Sequence, residues 1–250
     1  MPGGSYDKLT RPQRLAKAVE EGNIDDIDYQ RMLGFLRELY TGSEAFAYRP
    51  LDLAPELMEL TPLKAEIEAA LLQVPALKEH GYFNTAIANY AYGGLYFEMF
   101  NASSINKNEF LLYPGNLHVL DYVLKSTPKP QTIVDFGCGM GNMFPYLKKI
   151  SPATNYYGVD NFEELPRDAV QAFQALTSNV PIETHYSGAQ PIDLVFGIAF
   201  FALRGALPDM LKLNAKRYIF ESLRVSPLAL SKYMNIIYWN EFIVVAEPKN

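Results

Sequence analysis

Along the second half of the chain, short runs of apolar, β-branched and aromatic residues alternate with segments whose apolar positions recur at helical spacing. This is the pattern of βαβ units around a parallel sheet. Ile133 to Phe136 predicts a first strand, Asn155 to Asp160 a second, Val180 to Tyr186 a third, Ile192 to Gly197 a fourth and Arg217 to Leu223 a fifth. Helices are expected from Asn142 to Ile150 and from about Leu165 to Leu176, the latter begun around Pro166. Met234 to Trp239 and Phe242 to Ala246 flank Asn240-Glu241 and predict a closing hairpin, although its turn lacks the glycine that two-residue turns favour. The expected fold class is therefore α/β, with a seven-stranded, mostly parallel sheet and flanking helices.

The first 109 residues carry helical periodicity without strand signals, and predict an all-helical cap over 1–109 ahead of a sheet domain over 110–250. Thr10 with Gln13 forms a capping box, Pro12 sits in the first turn and Gly22 closes that helix. A second helix is expected from about Asp26 to Tyr40, with Met32, Leu33, Leu36, Leu39 and Tyr40 on one face. Thr61-Pro62 starts another, carrying Leu63, Ile67, Ala70 and Leu71 and disrupted by Pro75. A fourth, from about Asn84 to Phe100, is broken by Gly93-Gly94, a pair costing ~2 kcal/mol against alanine. Phe110 to Ser126 leads into the sheet and restarts after Pro114-Gly115.

Composition sets bounds. With 250 residues, 49% of them hydrophobic, the chain can bury a full core. A net charge of −6 and no basic run longer than Lys148-Lys149 disfavour nucleic acid as a partner. The single cysteine, Cys138, excludes an internal disulfide, and its place between glycines suggests a small packing residue rather than a nucleophile. One cysteine and three scattered histidines imply no metal site. The first residues lack the apolar core of a signal peptide, and no stretch approaches the ~20 apolar residues of a membrane span. No membrane partner is expected, the expected compartment is the cytoplasm, and a homodimer is left open.

Chemistry concentrates at Ile133-Val-Asp-Phe-Gly-Cys-Gly-Met-Gly-Asn142. Three glycines remove side chains where a strand turns sharply into a helix, so main chain can approach a ligand there. A dinucleotide turn of the form G-x-G-x-x-G would need glycine where Asn142 stands, and Asp135 would repel a pyrophosphate. A carboxylate at that mouth suits a cation. Asp160, at the end of the second strand, is placed to accept hydrogen bonds from ribose hydroxyls.

Asp135, Gly137, Gly139 and Gly141 spell D-x-G-x-G-x-G, which resembles the class I S-adenosylmethionine-dependent methyltransferases over roughly Phe110 to Asn250. The resemblance implies a Rossmann-like sheet with its last strand inserted antiparallel, S-adenosyl-L-methionine as cofactor, and an N-terminal cap over the carboxyl ends of the strands. The cofactor-binding residues it implies are Asp135, Gly137, Gly139, Gly141 and Asn142 in the turn, Asp160 and Asn161 after the second strand, and His185 and Tyr186 beside the adenine.

A sulfonium cofactor brings its own activated methyl group, so the protein's task becomes positioning an acceptor and excluding water. Tyr82, Phe83, Tyr90, Tyr92, Tyr96, Phe97 and Phe100 cluster in the cap; they either pack it onto the sheet or line a pocket for an apolar or aromatic small molecule. Tyr92 and Tyr96 are the candidates for substrate contact. A general base is poorly marked. His80 and His118 read as surface or capping histidines, and no histidine falls between Ala189 and Asn250; the candidates for a catalytic role are His118, Tyr92 and Glu221. After the fourth strand the chain lacks the Asn-Pro-Pro-Tyr, Asp-Pro-Pro-Tyr and Pro-Cys signatures of enzymes acting on nucleobases, which again favours a small-molecule acceptor. Two other classes stay open: an S-adenosylmethionine-binding protein that does not methylate, as a cyclase or silent partner subunit, and a nicotinamide-dependent reductase, which Asn142 and Asp135 oppose.

Overall fold

In the computed structural model, which describes residues 53–71, 112, 114–139, 141, 143–160, 171, 174–175, 180–198, 203–222, 225, 227–240 and 242–249, the apolar runs become seven strands. They are β1 (Thr132–Phe136), β2 (Asn155–Val159), β3 (Ile182–Glu183), β4 (Leu194–Gly197), β5 (Arg217–Glu221), β6 (Met234–Trp239) and β7 (Ile243–Pro248). Their order across one sheet is β3-β2-β1-β4-β5-β7-β6. β1 runs parallel to β2 and β4, and β2 parallel to β3, while β7 is antiparallel to both of its neighbours. This is the Rossmann-like order that the resemblance implies, with the last strand inserted between the fifth and sixth.

The described residues fall into two compact units, one within Asp52–Lys216 and one beginning at Arg217. In the first, β1 is the central strand: Thr132, Ile133, Val134 and Asp135 are all buried, as expected of a strand covered on both faces. The helix following the glycine turn, α3 (Phe144–Ile150), buries Phe144, Pro145, Tyr146 and Leu147. Its C-terminus is tied to the next strand by Tyr156, whose hydroxyl is shared between the carbonyls of Leu147 at 2.8 Å and Ser151 at 2.9 Å. Burial pushes that phenol up to about 12, so it stays a donor.

Ahead of the sheet, α2 (Pro114–Lys125) opens on proline, whose missing N–H costs nothing at a first helical position, and buries Leu117, Val119, Leu120 and Val123. Lys129 turns back to donate to the carbonyls of Val123 and Leu124, closing the helix's negative end. A 3-10 helix (Pro55–Leu60) and α1 (Pro62–Leu71) precede it in the chain. Ala54 N donates to buried Asp121 Oδ1 at 2.7 Å, pinning the start of the 3-10 helix to α2, while Leu57, Leu60 and Ile67 pack inward.

The second unit holds β5, a short α5 (Pro227–Ser231) and the β6–β7 hairpin. The hairpin dispenses with glycine because Asn240 Oδ1 accepts from Phe242 N at 2.8 Å and Ile243 N at 3.0 Å, an Asx turn built from a side chain. Ser222 Oγ donates to Asn240 O at 2.8 Å and fixes the turn to the end of β5.

Several expectations are corrected. The third strand shrinks from Val180–Tyr186 to two residues, because Thr184 and His185 are polar and exposed and only Gly158 and Val159 of β2 offer it a ladder. The fourth begins at Leu194 rather than Ile192, since Asp193 turns its carboxylate onto main-chain N–H groups. The helix α4 (Leu203–Lys212) carries apolar residues at helical spacing, but Pro208 inside it argues against a helix, while α5 and the 3-10 helix are short and lack strong cap or periodic signals; the sequence reading predicts none of the three. Of the proposed cap, the helix begun at Thr61-Pro62 is confirmed as α1; the helices expected at 10–22, 26–40 and 84–100, and the boundary between 109 and 110, lie outside the described residues. No helix among the described residues is long and apolar enough to cross a membrane.

Candidate cofactor site

Asp135 reaches the carboxyl end of the sheet because β1 carries it there between β2 and β4, in register with Gly158 on one side and Phe196 on the other. It is 5% exposed, and among the described residues nothing donates a hydrogen bond or ion pair to its carboxylate. Burial, and then the nearby negative charge of Asp160, push its carboxyl well above the usual carboxylate range. Buried polar groups in folded proteins are nearly always partnered, so an unpartnered carboxyl at this position is a group waiting for a donor or a cation.

The turn after β1 is held from below by its own backbone. Gly137 N donates to Val159 O at 2.7 Å, Gly141 N to Cys138 O at 3.0 Å and Phe144 N to Gly141 O at 3.0 Å. Gly137, Gly139 and Gly141 take φ values of 79°, 54° and 86°, the left-handed region where side chains are strained. Two of them serve different ends. A Cβ on Gly141 would stand 2.8 Å from the ring of Phe144, so that glycine lets α3 close on the turn. A Cβ on Gly139 would meet nothing within 4 Å among the described residues, so that glycine bares main chain toward open space.

Asp160 pins the same turn, its Oδ2 accepting from Gly139 N at 2.6 Å. The sequence suggests a ligand contact for Asp160; the structure adds this conformational duty. Cys138 is buried, and a Cβ on Gly158 would fall 2.6 Å from its sulfur. Burial, Asp135 and Asp160 all push the thiol up, which keeps it protonated and suits packing rather than attack.

Other expected residues fall in different settings. His185 is exposed, two residues beyond β3, with Nδ1 3.2 Å from Thr184 Oγ1. Tyr186 is half-buried, its ring edge-on to Tyr157 at 5.1 Å and its hydroxyl donating to Gln190 O at 3.0 Å. His118 is neither a surface nor a capping residue: in α2 every side chain from Asn116 to Asp121 is buried, and His118 is 3% exposed. Burial, then Lys125, lowers its imidazole to about 3, so it is neutral and a weak base. Glu221 is buried at the end of β5, in the second unit. Asn142, Asn161, Tyr92 and Tyr96 lie outside the described residues. Residues that sequence reading missed are Gly158, which makes room for Cys138, and Asn116, a buried amide on the first turn of α2. Neither carries a local signal. Among the described residues no group of three or more His, Cys, Asp or Glu could hold a metal.

No protein-family model and no curated protein sequence matches the chain. Solved structures do resemble it. Among them are a ribosomal protein L11 methylase from Lactobacillus delbrueckii subsp. bulgaricus (16% identity over 54% of this chain and 77% of that one, TM-score 0.42). Another is the M. capricolum TrmK in complex with the cofactor product S-adenosyl-homocysteine (17% identity, 56% and 70%, TM-score 0.39). A third is the plantazolicin methyltransferase BpumL in complex with SAH (18% identity, 66% and 60%, TM-score 0.34). At these identities the likeness is one of fold.

Chemically, the site offers a buried carboxyl, half-buried main chain at Gly139 with room beside it and a second carboxylate next to it, with no phosphate-binding cation among its described residues. The fit is to a cationic nucleoside without phosphate.

Proposed function

We propose that this protein is an S-adenosylmethionine-dependent methyltransferase acting on a small-molecule acceptor. One observation carries the reading: a buried Asp135 with no hydrogen-bond donor among the described residues stands beside a turn in which Gly139 bares main chain, and burial of a carboxylate without a cation is costly. Asp135 would meet the ammonium of the cofactor, the Gly137–Gly141 turn its main-chain contacts, and Asp160 its ribose hydroxyls. When bound, the cofactor supplies an activated methyl group on a sulfonium. The chain's own residues bind and orient it, and raise local order so that an acceptor can be held in line.

His185 and Tyr186 belong, in this reading, to the adenine edge, and Tyr92 and Tyr96 to the acceptor. The acceptor class rests on the net charge of −6, which disfavours nucleic acid, and on the missing nucleobase-directed signatures after β4. Neutral His118 supplies no strong base, so proximity carries most of the rate in this proposal.

The test is a pair of thermal melts. S-adenosylhomocysteine at 100 times its dissociation constant should stabilise the protein by ~2.7 kcal/mol, and NADH should not. Stabilisation by NADH alone overturns the reading. Methyl-labelled cofactor incubated with a metabolite extract then reports transfer; binding without any labelled product favours the non-methylating alternative.

A further inference from the structure

Asp135 and Asp160 come from neighbouring strands and meet at one turn. Asp135 stands opposite Gly158 in the β1–β2 register, and Asp160 follows two positions later, its main-chain N–H still donating to Glu183 O at 2.9 Å. The half-buried Asp160 carboxylate bends over the turn, where Oδ2 accepts from Gly139 N. Cys138, packed against Gly158, feels both negative charges, stays protonated and neutralises neither. No described residue donates to the Asp135 carboxylate, and Lys129, Lys148 and Lys216 are bonded at the amino ends of the strands. Among the described residues, the charge gathered at the turn is therefore negative. Asp135 already registers the second carboxylate, whose charge adds to burial in pushing its carboxyl up.

Two ligands of the proposed function challenge such a site differently. S-adenosylmethionine carries an ammonium and a sulfonium, whereas S-adenosylhomocysteine keeps the ammonium and has a neutral thioether instead. They share the adenosine and the amino-acid end, and differ by one methyl group and one positive charge. Resting on the proposed cofactor, we infer that Asp135 and Asp160 act as a pair that selects the cofactor over its own product by charge, and so governs how readily product is given up. A single ammonium relieves one of two neighbouring carboxylates; a second cation relieves the other. In a site this far out of bulk water the attraction is screened much less than at an open surface. Loss of the positive charge then weakens the hold of the site while every other contact stays in place.

The test is a ratio of affinities, measured by titration calorimetry with no acceptor present. The wild type is expected to bind S-adenosylmethionine about tenfold more tightly than S-adenosylhomocysteine. Asp160→Asn keeps an oxygen for Gly139 N but removes the charge, and should bring the two affinities close together. Asp193→Asn removes the same charge just before β4, far from the turn, and should leave the wild-type ratio intact. If a thermal melt shows that Asp160→Asn does not fold, Asp135→Asn takes its place with the same expectation. Equal affinities in the wild type, or a preference for the product, overturn the inference. So does a preference that survives in Asp160→Asn, since a contact to the methyl group would then carry it, or one that Asp193→Asn abolishes, since net charge would. A wild type that binds neither ligand overturns the proposed function itself; one that binds both alike overturns this inference alone.

Discussion

Two aspartates stand toward opposite ends of the same parallel strands, and the structure treats them in opposite ways. Asp193, just before β4, accepts from Gln131 N at 2.6 Å and Thr132 N at 3.2 Å, and pairs with Lys216 Nζ at 2.7 Å. Partial burial pushes its carboxyl up, but the Lys216 bond and the two main-chain bonds outweigh it and hold it below the usual range. Asp135, toward the far end of β1, is more deeply buried, has no such donor among the described residues, and sits well above that range. A carboxylate that serves the fold is supplied with donors by the fold; in the proposed reading Asp135 is kept for a ligand instead, and its cost falls on stability.

The largest effect that could break this contrast is on binding. Asp135→Asn should lower affinity for S-adenosylhomocysteine by about 2–3 kcal/mol, the scale of a hydrogen bond to a charged group, while the melting temperature holds or rises. The sign follows from the raised value. Below the unfolded carboxyl range, near 3.9, Asp135 is protonated in both states and its stabilising contribution is full; as pH climbs through its raised folded value, that contribution is lost. Affinity for a cationic ligand moves the other way and increases over the same window. Melts and calorimetry from pH 4 to 8 check both slopes, and a wild-type affinity that ignores pH would separate Asp135 from the ligand.

Next in size is the turn itself, where two glycines with positive φ separate packing from binding. Gly141→Ala should destabilise the fold by about 2–3 kcal/mol in urea unfolding, since the methyl meets the Phe144 ring as well as backbone strain. Gly139→Ala carries the backbone strain alone, about 1 kcal/mol, and its clearer effect should be weakened nucleoside binding as the methyl enters the space the turn faces. Equal stability losses in the two variants would erase the distinction.

What was legible beforehand follows the range of the interactions. β1, the glycine turn, α3 and the hairpin are encoded by residues within a few positions of one another, and their places came out of the sequence almost unchanged. Asn240 shows the limit even there: its turn works through a side-chain oxygen where a glycine was looked for. β3 was overdrawn because Thr184 to Tyr186 look strand-like, yet only two residues find a partner strand. α4 was overlooked because Pro208 argues against a helix and its tertiary setting overrides that preference. Burial of His118 and Asn116 depends on what α2 packs against, which no local pattern reports. The place of Asp135 before the glycines marks it as a candidate partner for a cation; that no described residue donates to its carboxylate needed the fold.

On the structural side of the contrast the effects are smaller. Asp193→Ala should cost about 1–2 kcal/mol by leaving two main-chain N–H groups to water, and should leave nucleoside affinity alone. Its lowered pKa sets the pH sense: the contribution is present above the unfolded value near 3.9 and disappears as pH falls through the folded one, so the variant should lose part of the wild type's acid-side decline in stability.

Lys216→Ala gives the smallest change and the sharpest division of labour. Lys216 is 71% exposed while Asp193 is 19% exposed, so their attraction is screened by water and the pair should contribute under about 1 kcal/mol. The main-chain bonds to Asp193 remain in this variant. Its acid-side loss of stability should therefore persist, beginning at slightly higher pH because the lysine no longer helps to hold the carboxyl down. If Lys216→Ala instead costs as much as Asp193→Ala, the ion pair rather than the β1 backbone is what Asp193 serves, and the two ends of the sheet differ in charge partners alone.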